Sequence, residues 1–425
     1  MNDVDLDHFR PQSDEIQQYP FDYYEAMRSE RPVMKLAGKE VGRPRDEVYC
    51  ISRHEDVHKV LLDHETYSSR FGSTGSVPEP ALQEKLEAIS ATGWAHVDTM
   101  LTEDPPVHTR YRKLVSKAFT PKMVSSLEPR VRALCENLVN GWKGEKRVDF
   151  NRDFGVPLPV TTVAYILGVP DDHQSDFKRW ADQSVAAIGR TINDEDRLAS
   201  QRTIVEQQRW FADQIELRRD DPSDDFLSNL LNARLTEEDE IEGDPLSMGE
   251  MLSIIRQIQV AGSETTTSLM ADAMVRLSHR PEIWEKMKED PTLIQAVVEE
   301  VLRLSSPNQG LFRIATRDAE IRGVTIPKGS AVWAMFGSAN RDERVFPNPD
   351  EFDPDRKNLH AHLALGKGVH YCLGAALARL EARVGLEALC QRIDSFSVVD
   401  EASLRYSPSF ILRGLEGLKL DVDYC

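Results

Sequence analysis

The sequence predicts a mainly α-helical fold with a minor amount of sheet. Apolar residues recur with helical periodicity from Val107 to Leu304. Short strand patterns bounded by glycine or proline lie on either side, at residues 47–52 and 321–336. A last amphipathic helix is predicted over Leu373–Leu389, where leucine and valine recur on one face.

The N-terminal part of the chain contains the first strand and a long irregular stretch. A short strand is predicted over Glu47–Ser52, with a helix beginning near Arg53. Residues 67–102 carry scattered glycines and prolines, which predicts a long loop with at most one short helix. Loops of that length in a compact domain are usually functional or mobile.

The longest predicted helix begins at a capping box formed by Ser247 and Glu250. It continues to about Ser278, far beyond the usual length of about 11 residues.

The acidic run at 237–242 is predicted to be a solvated loop without a function. Breaks in the helical region are predicted at Pro121, residues 151–159, Pro222, residues 243–245 and Pro281.

Bulk composition limits the domain organisation and the partners. The 425 residues contain no Gly/Ser tract, proline-rich spacer or repeat, so we predict one domain over 1–425 and expect a monomer. A net charge of −19 argues against nucleic acid and anionic membranes as partners. We expect no signal peptide and no membrane span. The five scattered cysteines suit a reducing compartment, so we expect a cytoplasmic protein.

One cysteine lies in a loop suited to hold a metal-binding thiolate. Cys372 belongs to the run LGKGVHYCLG at residues 365–374, just before the last predicted helix. The glycines allow positive φ, and the helix directs N–H groups and the positive end of its dipole at the sulfur. We therefore expect haem iron held axially by sulfur. The remaining cysteines are predicted to be small hydrophobic residues: Cys50, Cys135, Cys390 and Cys425.

A second motif, AGSETT at residues 261–266, lies inside the long helix. Small residues at Ala261 and Gly262 would let a flat ligand approach the helix backbone. Thr265 can hydrogen-bond to the carbonyl four residues earlier, which bends a helix. A bent turn beside the Glu264 carboxylate can hold water and deliver protons to a bound oxygen. Plain packing of a threonine-rich turn is the competing interpretation.

Two more groups of charged residues are candidates for supporting roles. Glu300 and Arg303 share a helix face, and Arg356 could close a buried network that braces the cysteine loop. His108 and Arg112 are four residues apart and therefore also share a face. With Arg313 and His370 they suit the two carboxylates of a haem, because arginine binds carboxylates bidentately.

Together these motifs resemble the cytochrome P-450 family of haem-thiolate monooxygenases in its soluble bacterial form. They occur in the family's order: His-x-x-x-Arg, Ala-Gly-x-Glu-Thr-Thr, Glu-x-x-Arg and the cysteine loop. The resemblance covers nearly the whole chain, from Tyr49 to residues 410–414. It implies a triangular-prism fold, mainly α with a small β-rich lobe.

The resemblance implies a role for each matched residue. Cys372 is the axial ligand of haem b, and Glu264 and Thr265 relay protons to bound dioxygen. The implied structural triad is Glu300, Arg303 and Arg356. The residues implied to contact haem are His108, Arg112, Ala261, Arg313, Leu365, Gly366, His370 and Cys372. The residues implied to line the substrate pocket are Gln257, Val260, Gln309, Leu311 and Ile411.

The implied reaction inserts one oxygen atom from dioxygen into an apolar small molecule, by hydroxylation or epoxidation. The chain shows no flavin or iron–sulfur module, so we expect electrons from an external ferredoxin and its reductase. From His108 to Val124 the chain has basic residues and no carboxylate, so an acidic ferredoxin could bind this stretch. Random clustering of basic residues on one helix is the competing interpretation. These basic residues are Arg110, Arg112, Lys113, Lys117 and Lys122.

One position departs from the family's pattern. The cysteine loop usually begins with phenylalanine, where this chain has Leu365. Leucine keeps the site apolar but packs differently from a ring over the sulfur. We therefore expect haem to bind with a somewhat altered iron potential.

Three other interpretations remain open at the level of sequence. A peroxide-driven haem-thiolate enzyme would need no ferredoxin, although it would also not need the Glu264–Thr265 pair. A non-catalytic haem protein could sense gases or transfer electrons. A helical scaffold without haem would use Cys372 only as a core residue.

Overall fold

The computed structural model describes residues 4–43, 46–72, 79–185, 188, 192–239 and 243–425. The chain divides into two compact units. The cysteine unit comprises residues 1–68, 126–159 and 264–425, and the helical unit comprises residues 69–125 and 160–263. A single domain over 1–425 stays a prediction.

Helices make up most of the regular structure, as the periodicity predicts. In chain order the α-helices are α1 Asp14–Gln18, α2 Phe21–Glu30, α3 His54–Leu62, α4 Pro80–Ser90, α5 Val107–Ala118, α6 Pro121–Asn140, α7 Pro157–Ile166, α8 Gln174–Val185, α9 Asp194–Asp220, α10 Phe226–Asn232, α11 Met248–Ser278, α12 Pro281–Glu289, α13 Leu293–Ser305, α14 Phe336–Ala339 and α15 Ala375–Cys390.

The strands are short and belong to the cysteine unit. They are β1 Val33–Ala37, β2 Glu47–Ile51, β3 Tyr67–Ser68, β4 Arg147–Asp149, β5 Leu311–Ala315, β6 Ala319–Ile321, β7 Val324–Ile326, β8 Ala331–Ala334, β9 Ile393–Val398 and β10 Lys419–Tyr424. They form sheets ordered β1-β2-β8-β5-β3, β4-β10-β9 and β6-β7. The mainly α fold class with minor sheet is confirmed.

The largest sheet anchors the core of the cysteine unit. Strands β2 and β8 run parallel, and Cys50 pairs with Trp333. Strand β8 is buried throughout, so its four residues Ala331–Ala334 are all apolar. Apolar residues of the sheet pack with Val57 and Val60 of α3 into one buried cluster. This cluster holds β5 and α3 in place, and both elements carry residues discussed below.

The strand and the helix predicted near residue 50 are confirmed to within two residues, although α1, α2 and β1 precede them and were not predicted. Strand β2 and helix α3 occupy the predicted positions. The long loop contains one helix, α4, while residues 73–78 lie outside the described residues. In the acidic run, Glu237–Asp239 forms a 3-10 turn and residues 240–242 lie outside the described residues.

The predicted break at residues 151–159 is wrong. Asn151–Gly155 forms a π-helical turn, and α7 begins at Pro157. Proline is tolerated in the first turn of a helix because the N–H groups there have no partner within the helix. Prolines at the start of α7 therefore begin a helix rather than interrupt one.

The capping box at the start of α11 is confirmed. The Ser247 N–H donates to Glu250 Oε2 at 2.6 Å, and the Glu250 N–H donates to Ser247 Oγ at 3.4 Å. The helix then continues to Ser278, the predicted end.

Among the described residues, no helix has both the length and the apolar content needed to cross a bilayer.

Candidate active site

The cysteine loop lies just before the last long helix of the cysteine unit. Gly366 and Gly368 both have φ of 69°, a left-handed conformation that glycine adopts at low cost. The Cys372 N–H donates to the Leu365 carbonyl at 2.9 Å, which closes the loop on itself. Cys372 is half-buried and is followed within three residues by the first turn of α15. The loop therefore places Cys372 just before the N-terminus of α15, where the first N–H groups of a helix have no partner within the helix.

Three other cysteines have environments that disfavour metal ligation. Burial raises the pKa of Cys50, Cys135 and Cys390 to about 12, so their thiols remain protonated at neutral pH. Since the thiolate is the metal ligand, these positions suit core packing rather than coordination. Cys425 is exposed near the C-terminus and far from any glycine loop in the sequence.

The Glu300–Arg303–Arg356 triad is present as a buried network. Glu300 and Arg303 are fully buried, and two hydrogen bonds of 2.7 Å join them bidentately. Arg356 Nε donates to Glu300 Oε1 at 2.9 Å. Arg303 also donates to the carbonyls of Asn340 and Pro349, at 2.8 and 2.7 Å. Breaking such a buried network by removing one partner typically costs about 3–5 kcal/mol.

The segment before the cysteine loop is fixed by side chains of other elements. The Leu363 N–H donates to Asn340 Oδ1 at 2.6 Å, next to the arginine network. His362 Nε2 lies 3.1 Å from Glu299, and Arg379 of α15 binds the same carboxylate. Burial alone would raise the pKa of Glu299, but its bonds to Arg379 and His362 lower it to about 2. A permanently charged anchor thus holds the loop against α13 and α15.

The two residues of the cysteine unit that are predicted to bind the haem carboxylates differ in burial. Arg313 lies on β5, is 3% exposed and donates to the Phe312 carbonyl at 2.8 Å. His370 ends a 3-10 turn within the cysteine loop and is half-buried. A guanidinium carries five N–H donors in a planar fork, the kind of group that binds a carboxylate.

Two more candidates lie on α5 of the helical unit. His108 is buried and Arg112, one turn later, is half-buried. Helix α5 is held to α11 because Arg110 and Tyr111 both donate to Glu250, at 2.7 and 2.8 Å. Burial would raise the pKa of Glu250, but these bonds and the Ser247 N–H lower it to about 2.

Helix α11 carries the AGSETT motif, but its glycine has another purpose than expected. A Cβ on Gly262 would lie 2.8 Å from Val163 of α7, so this glycine allows two helices of the helical unit to pack closely. The expectation that Gly262 makes room for a flat ligand is therefore wrong. Ala261 lies on an exposed part of the helix surface, while Glu264 and Thr265 are half-buried.

The substrate-pocket candidates divide into accessible and structural side chains. Gln257 and Val260 are half-buried on α11. Leu311 is also half-buried and packs against the sheet cluster, whereas Ile411 is 5% exposed.

Gln309 is the exception among these candidates. Its side-chain amide donates to the carbonyls of Ser305 and Ser306, at 3.1 and 2.7 Å. The Tyr24 hydroxyl donates to its Oε1 at 3.3 Å. These bonds fix the Gln309 side chain at the end of α13, and its place in the substrate pocket stays a prediction.

The basic cluster at residues 108–124 is largely neutralised within the helical unit. Arg110 pairs with Glu250 at 2.7 Å, and Lys117 pairs with Asp239 at 2.6 Å. Lys113 donates to the Asp239 carbonyl. The carboxylates come from residues outside 108–124 and reduce the positive charge that the stretch presents. Binding of an acidic partner at this stretch stays a prediction.

Two relevant residues have no strong signal in the sequence. Arg256 is half-buried one turn before Val260, and burial lowers the pKa of its guanidinium. Gly414 is buried against Ser268 and Glu264. A search for charged or small residues at helical spacing from Glu264 could have found Arg256, but Gly414 comes from a distant segment.

The residues of the cysteine unit fit a haem by the chemistry of their donors. The loop offers a half-buried thiol before a helix, which suits an axial ligand, and β5 offers a buried arginine for a carboxylate. Among the described residues, no group of three or more His, Cys, Asp or Glu side chains forms an alternative metal site. A single thiolate with a macrocycle is thus the form of metal binding that the donor set favours.

The sequence model of the family described as cytochrome P-450 matches residues 153–401. The chain belongs to the cytochrome P-450 family. Putative cytochrome P-450 YjiB of Bacillus subtilis is 34% identical over 409 residues, which cover 95% of this chain and 93% of that protein. The mycinamicin IV hydroxylase/epoxidase of Micromonospora griseorubida is 35% identical, covering 87% of this chain and 88% of that one.

Solved structures of the family share the fold. The structure of cytochrome P-450 CYP109Q5 from Chondromyces apiculatus superposes with a TM-score of 0.84 at 35% identity and covers 98% of both chains. The expected fold family is therefore confirmed. As a cytochrome P-450, the chain is a haem-dependent monooxygenase that uses dioxygen, a bound substrate and a redox partner.

Proposed function

We propose that this cytochrome P-450 hydroxylates or epoxidises an apolar small molecule, with haem b held by Cys372 and electrons supplied by a ferredoxin-type carrier. The observation that carries the proposal is the left-handed glycine loop that presents the Cys372 sulfur before α15. Haem, when bound, supplies the redox chemistry that activates dioxygen. A cytoplasmic monomer is part of the same proposal.

The chain's own residues position the cofactor in this proposal. Cys372 would bind the iron through its sulfur, and Leu365 and Gly366 would contact the haem. Arg313 and His370 of the cysteine unit, and His108 and Arg112 of the helical unit, would bind the carboxylates. Ala261 would present a small side chain to the ring.

Proton delivery is assigned to Glu264 and Thr265. Both are half-buried and adjacent on α11, and Ser268 one turn later donates to the Glu264 carbonyl at 2.8 Å. A carboxylate exchanges protons with water, and a neighbouring hydroxyl can accept and donate in turn. The pair therefore suits proton transfer towards oxygen bound in the active site.

The substrate is proposed to be mainly apolar with an anionic or polar end. Val260, Leu311 and Ile411 are apolar, and Gln257 offers one amide. Arg256 would add a guanidinium, and burial lowers its pKa. A buried charge is costly without a partner, so an anionic group on the substrate would stabilise it. Long-chain fatty acids should therefore bind more tightly than their methyl esters, and Arg256→Gln should remove the difference.

The proposed electron donor docks on the outer surface of the cysteine loop. Leu62 and Val369 are exposed, and a Cβ on Gly368 between them would lie 3.4 Å from Leu62. Lys59 is also exposed and Lys367 is half-buried. A small apolar patch with nearby lysines suits an acidic carrier and is close in sequence to the ligand.

The test of the proposed function is the colour and spectrum of the purified protein. The wild-type protein should be red, and its reduced carbonyl complex should show the red-shifted Soret band of thiolate ligation. Cys372→Ser should lose that band, whereas the control Cys425→Ser should keep it. A colourless wild-type protein, or an unchanged band in Cys372→Ser, would contradict the proposal. Turnover driven equally well by peroxide alone would favour the peroxide-driven alternative.

A further inference from the structure

The part of α11 that belongs to the cysteine unit carries a row of polar side chains. Glu264, Ser268, Asp272 and Arg276 follow one another at intervals of four residues, so they lie along one face of the helix. Ser268 and Asp272 are 4% and 6% exposed. Polar groups are buried at such positions only when they have partners, so the row calls for a physical explanation.

Hydrogen bonds join the first pair and the last pair of the row. Ser268 Oγ donates to the Glu264 carbonyl at 2.8 Å. Arg276 Nε donates to Asp272 Oδ2 at 2.8 Å. The Arg276 side chain is 20% exposed, whereas that of Asp272 is 8% exposed. The row thus leads from a half-buried carboxylate to a guanidinium that reaches solvent.

A small polar cavity lies beside the row. It has a volume of about 20 Å³, enough for one ordered water. Its polar lining residues include Ser268, Asp272, Arg276, Tyr406 and Arg413. Burial, with a smaller effect of Asp272, raises the pKa of Tyr406, so its hydroxyl stays protonated and can bond to water. The cavity therefore has the size and the partners that a bound water requires.

Gly414 keeps the inner end of this cavity open. A Cβ at this position would overlap the Ser268 hydroxyl and lie 3.6 Å from Glu264 Oε1. Its φ lies outside the left-handed range, so space rather than backbone conformation explains the glycine. Gly414 and Ser268 both line the cavity, and Glu264 Oε1 lies just beyond them, so the Ser268 hydroxyl stands between the cavity and the Glu264 carboxylate.

We propose that this row supplies protons to Glu264 from solvent on the Arg276 side. Water at the surface gives a proton to the Asp272 carboxylate. Asp272 passes it to the cavity water as that water gives a proton to Glu264, so one proton moves inward and no electron moves. Ser268, Asp272 and Gly414 are positioning residues, because they act through water and Glu264. The inference rests on the proposed function, which makes Glu264 the proton donor of the site.

Two guanidiniums lie close to the Asp272 carboxylate. Arg276 binds it from its own helix, and Arg413 also faces the cavity from the segment after β9. Arg413 is itself fixed by bonds of 2.7 and 2.8 Å to the carbonyls of Gln17 and Gln18. The two guanidiniums attract the carboxylate and its water without offering a competing base. Asp272 is therefore the group of the cavity that can accept a proton.

The test compares two variants with a matched control in the reconstituted holoenzyme. Gly414→Ala fills the space between Ser268 and Glu264, and Asp272→Asn removes the acceptor while keeping its shape. Gly417→Ala is the control, because a Cβ there meets nothing within 4 Å. Product formed per reductant consumed should fall at least about fivefold in both variants, since positioned proton transfer contributes larger factors than this. The solvent isotope effect on turnover should rise, while the carbonyl band and the control stay unchanged.

A second readout does not depend on turnover. A crystal structure of the wild-type protein should show an ordered water between Ser268 and Asp272, and Gly414→Ala should displace it. A dry cavity in the wild type, or wild-type coupling and isotope effect in both variants, would overturn the proton route. Failure of the proposed function itself would look different, since the wild-type protein would then lack the thiolate carbonyl band. The wild-type water remains measurable if a variant fails to fold.

Discussion

The reactive cysteine differs from its neighbours through the backbone around it. Cys372 is half-buried between left-handed glycines and a helix start, whereas burial raises the pKa of Cys50, Cys135 and Cys390 to about 12. The surroundings of Cys372 therefore favour the ligand role proposed for it, whereas those of the other three favour packing in the core. This difference between Cys372 and the other cysteines could be predicted, because Gly366 and Gly368 lie within six residues of Cys372 in the sequence.

Leu365 gives a prediction at the same scale. Leu365→Phe would place a ring near the sulfur and exclude water from it, so we expect the iron reduction potential to fall. The measurement is a spectroelectrochemical titration of the holoenzyme. Val369→Phe, exposed in the same loop, is the control and should leave the potential unchanged. Equal potentials in Leu365→Phe and wild type would count against a role for this position.

Thr265 gives a second prediction. Thr265→Ala should leave the haem spectra intact but divert electrons from product to hydrogen peroxide, because the hydroxyl of the proton relay is lost. Product and peroxide are measured per reductant consumed. Thr266→Ala, a buried neighbour, should retain the wild-type ratio. Full coupling in Thr265→Ala would refute the assigned role.

At the scale of elements, one carboxylate joins the start of α11 to α5. Glu250 completes the capping box and also binds Arg110 and Tyr111. Its pKa is lowered from 4.5 to about 2, so the charged form is favoured in the folded protein. A lowered pKa contributes stability above the unfolded value, and that contribution is lost as the pH falls through the folded value.

Glu250→Gln should therefore destabilise the protein in a pH-dependent way. We expect the free energy of unfolding to fall by about 1–2 kcal/mol at pH 7, where a charged hydrogen-bond acceptor is lost. The difference should shrink as the pH falls from 4.5 towards 2. Denaturant titrations at several pH values measure it, with the exposed Glu216→Gln as control. A difference that is the same at pH 7 and pH 3 would contradict the assignment.

At the scale of the whole molecule, net charge and local charge give different information. The chain carries −19 overall, yet Arg110 and Lys117 of α5 are paired with Glu250 and Asp239. Lys117 therefore contributes less to the attraction of an acidic partner than its sequence context suggests. The exposed patch at the cysteine loop, with Leu62 and Val369, becomes the better candidate.

This assignment of the docking surface predicts the effect of one substitution. Val369→Asp should slow reduction by an acidic ferredoxin several-fold, because it adds like charge to an apolar contact, while the carbonyl band stays unchanged. Stopped-flow reduction kinetics measure the rate. Leu217→Asp, an exposed apolar residue of α9, is the control and should leave the rate unchanged. Equal slowing by both substitutions would indicate a non-specific effect of charge.

Most of the fold and the chemical motifs could be predicted from the sequence because they depend on local order. The capping box at Ser247 and the end of α11 at Ser278 follow from residues within the helix. The contacts of Gly262 with Val163 and of Gln309 with Tyr24 could not be predicted, because each joins two segments that are distant along the chain. The break at residues 151–159 was misjudged since proline both ends and begins helices.

The sequence by itself determined the family and the order of the motifs, since each motif is a short run whose spacing fixes its local geometry. Only the tertiary structure decided which charges are free to act. It paired Lys117 with Asp239 and brought Gly414 against Ser268 and Glu264, contacts between residues more than a hundred positions apart. Such contacts depend on how apolar surfaces are buried throughout the chain, and no local pattern specifies them.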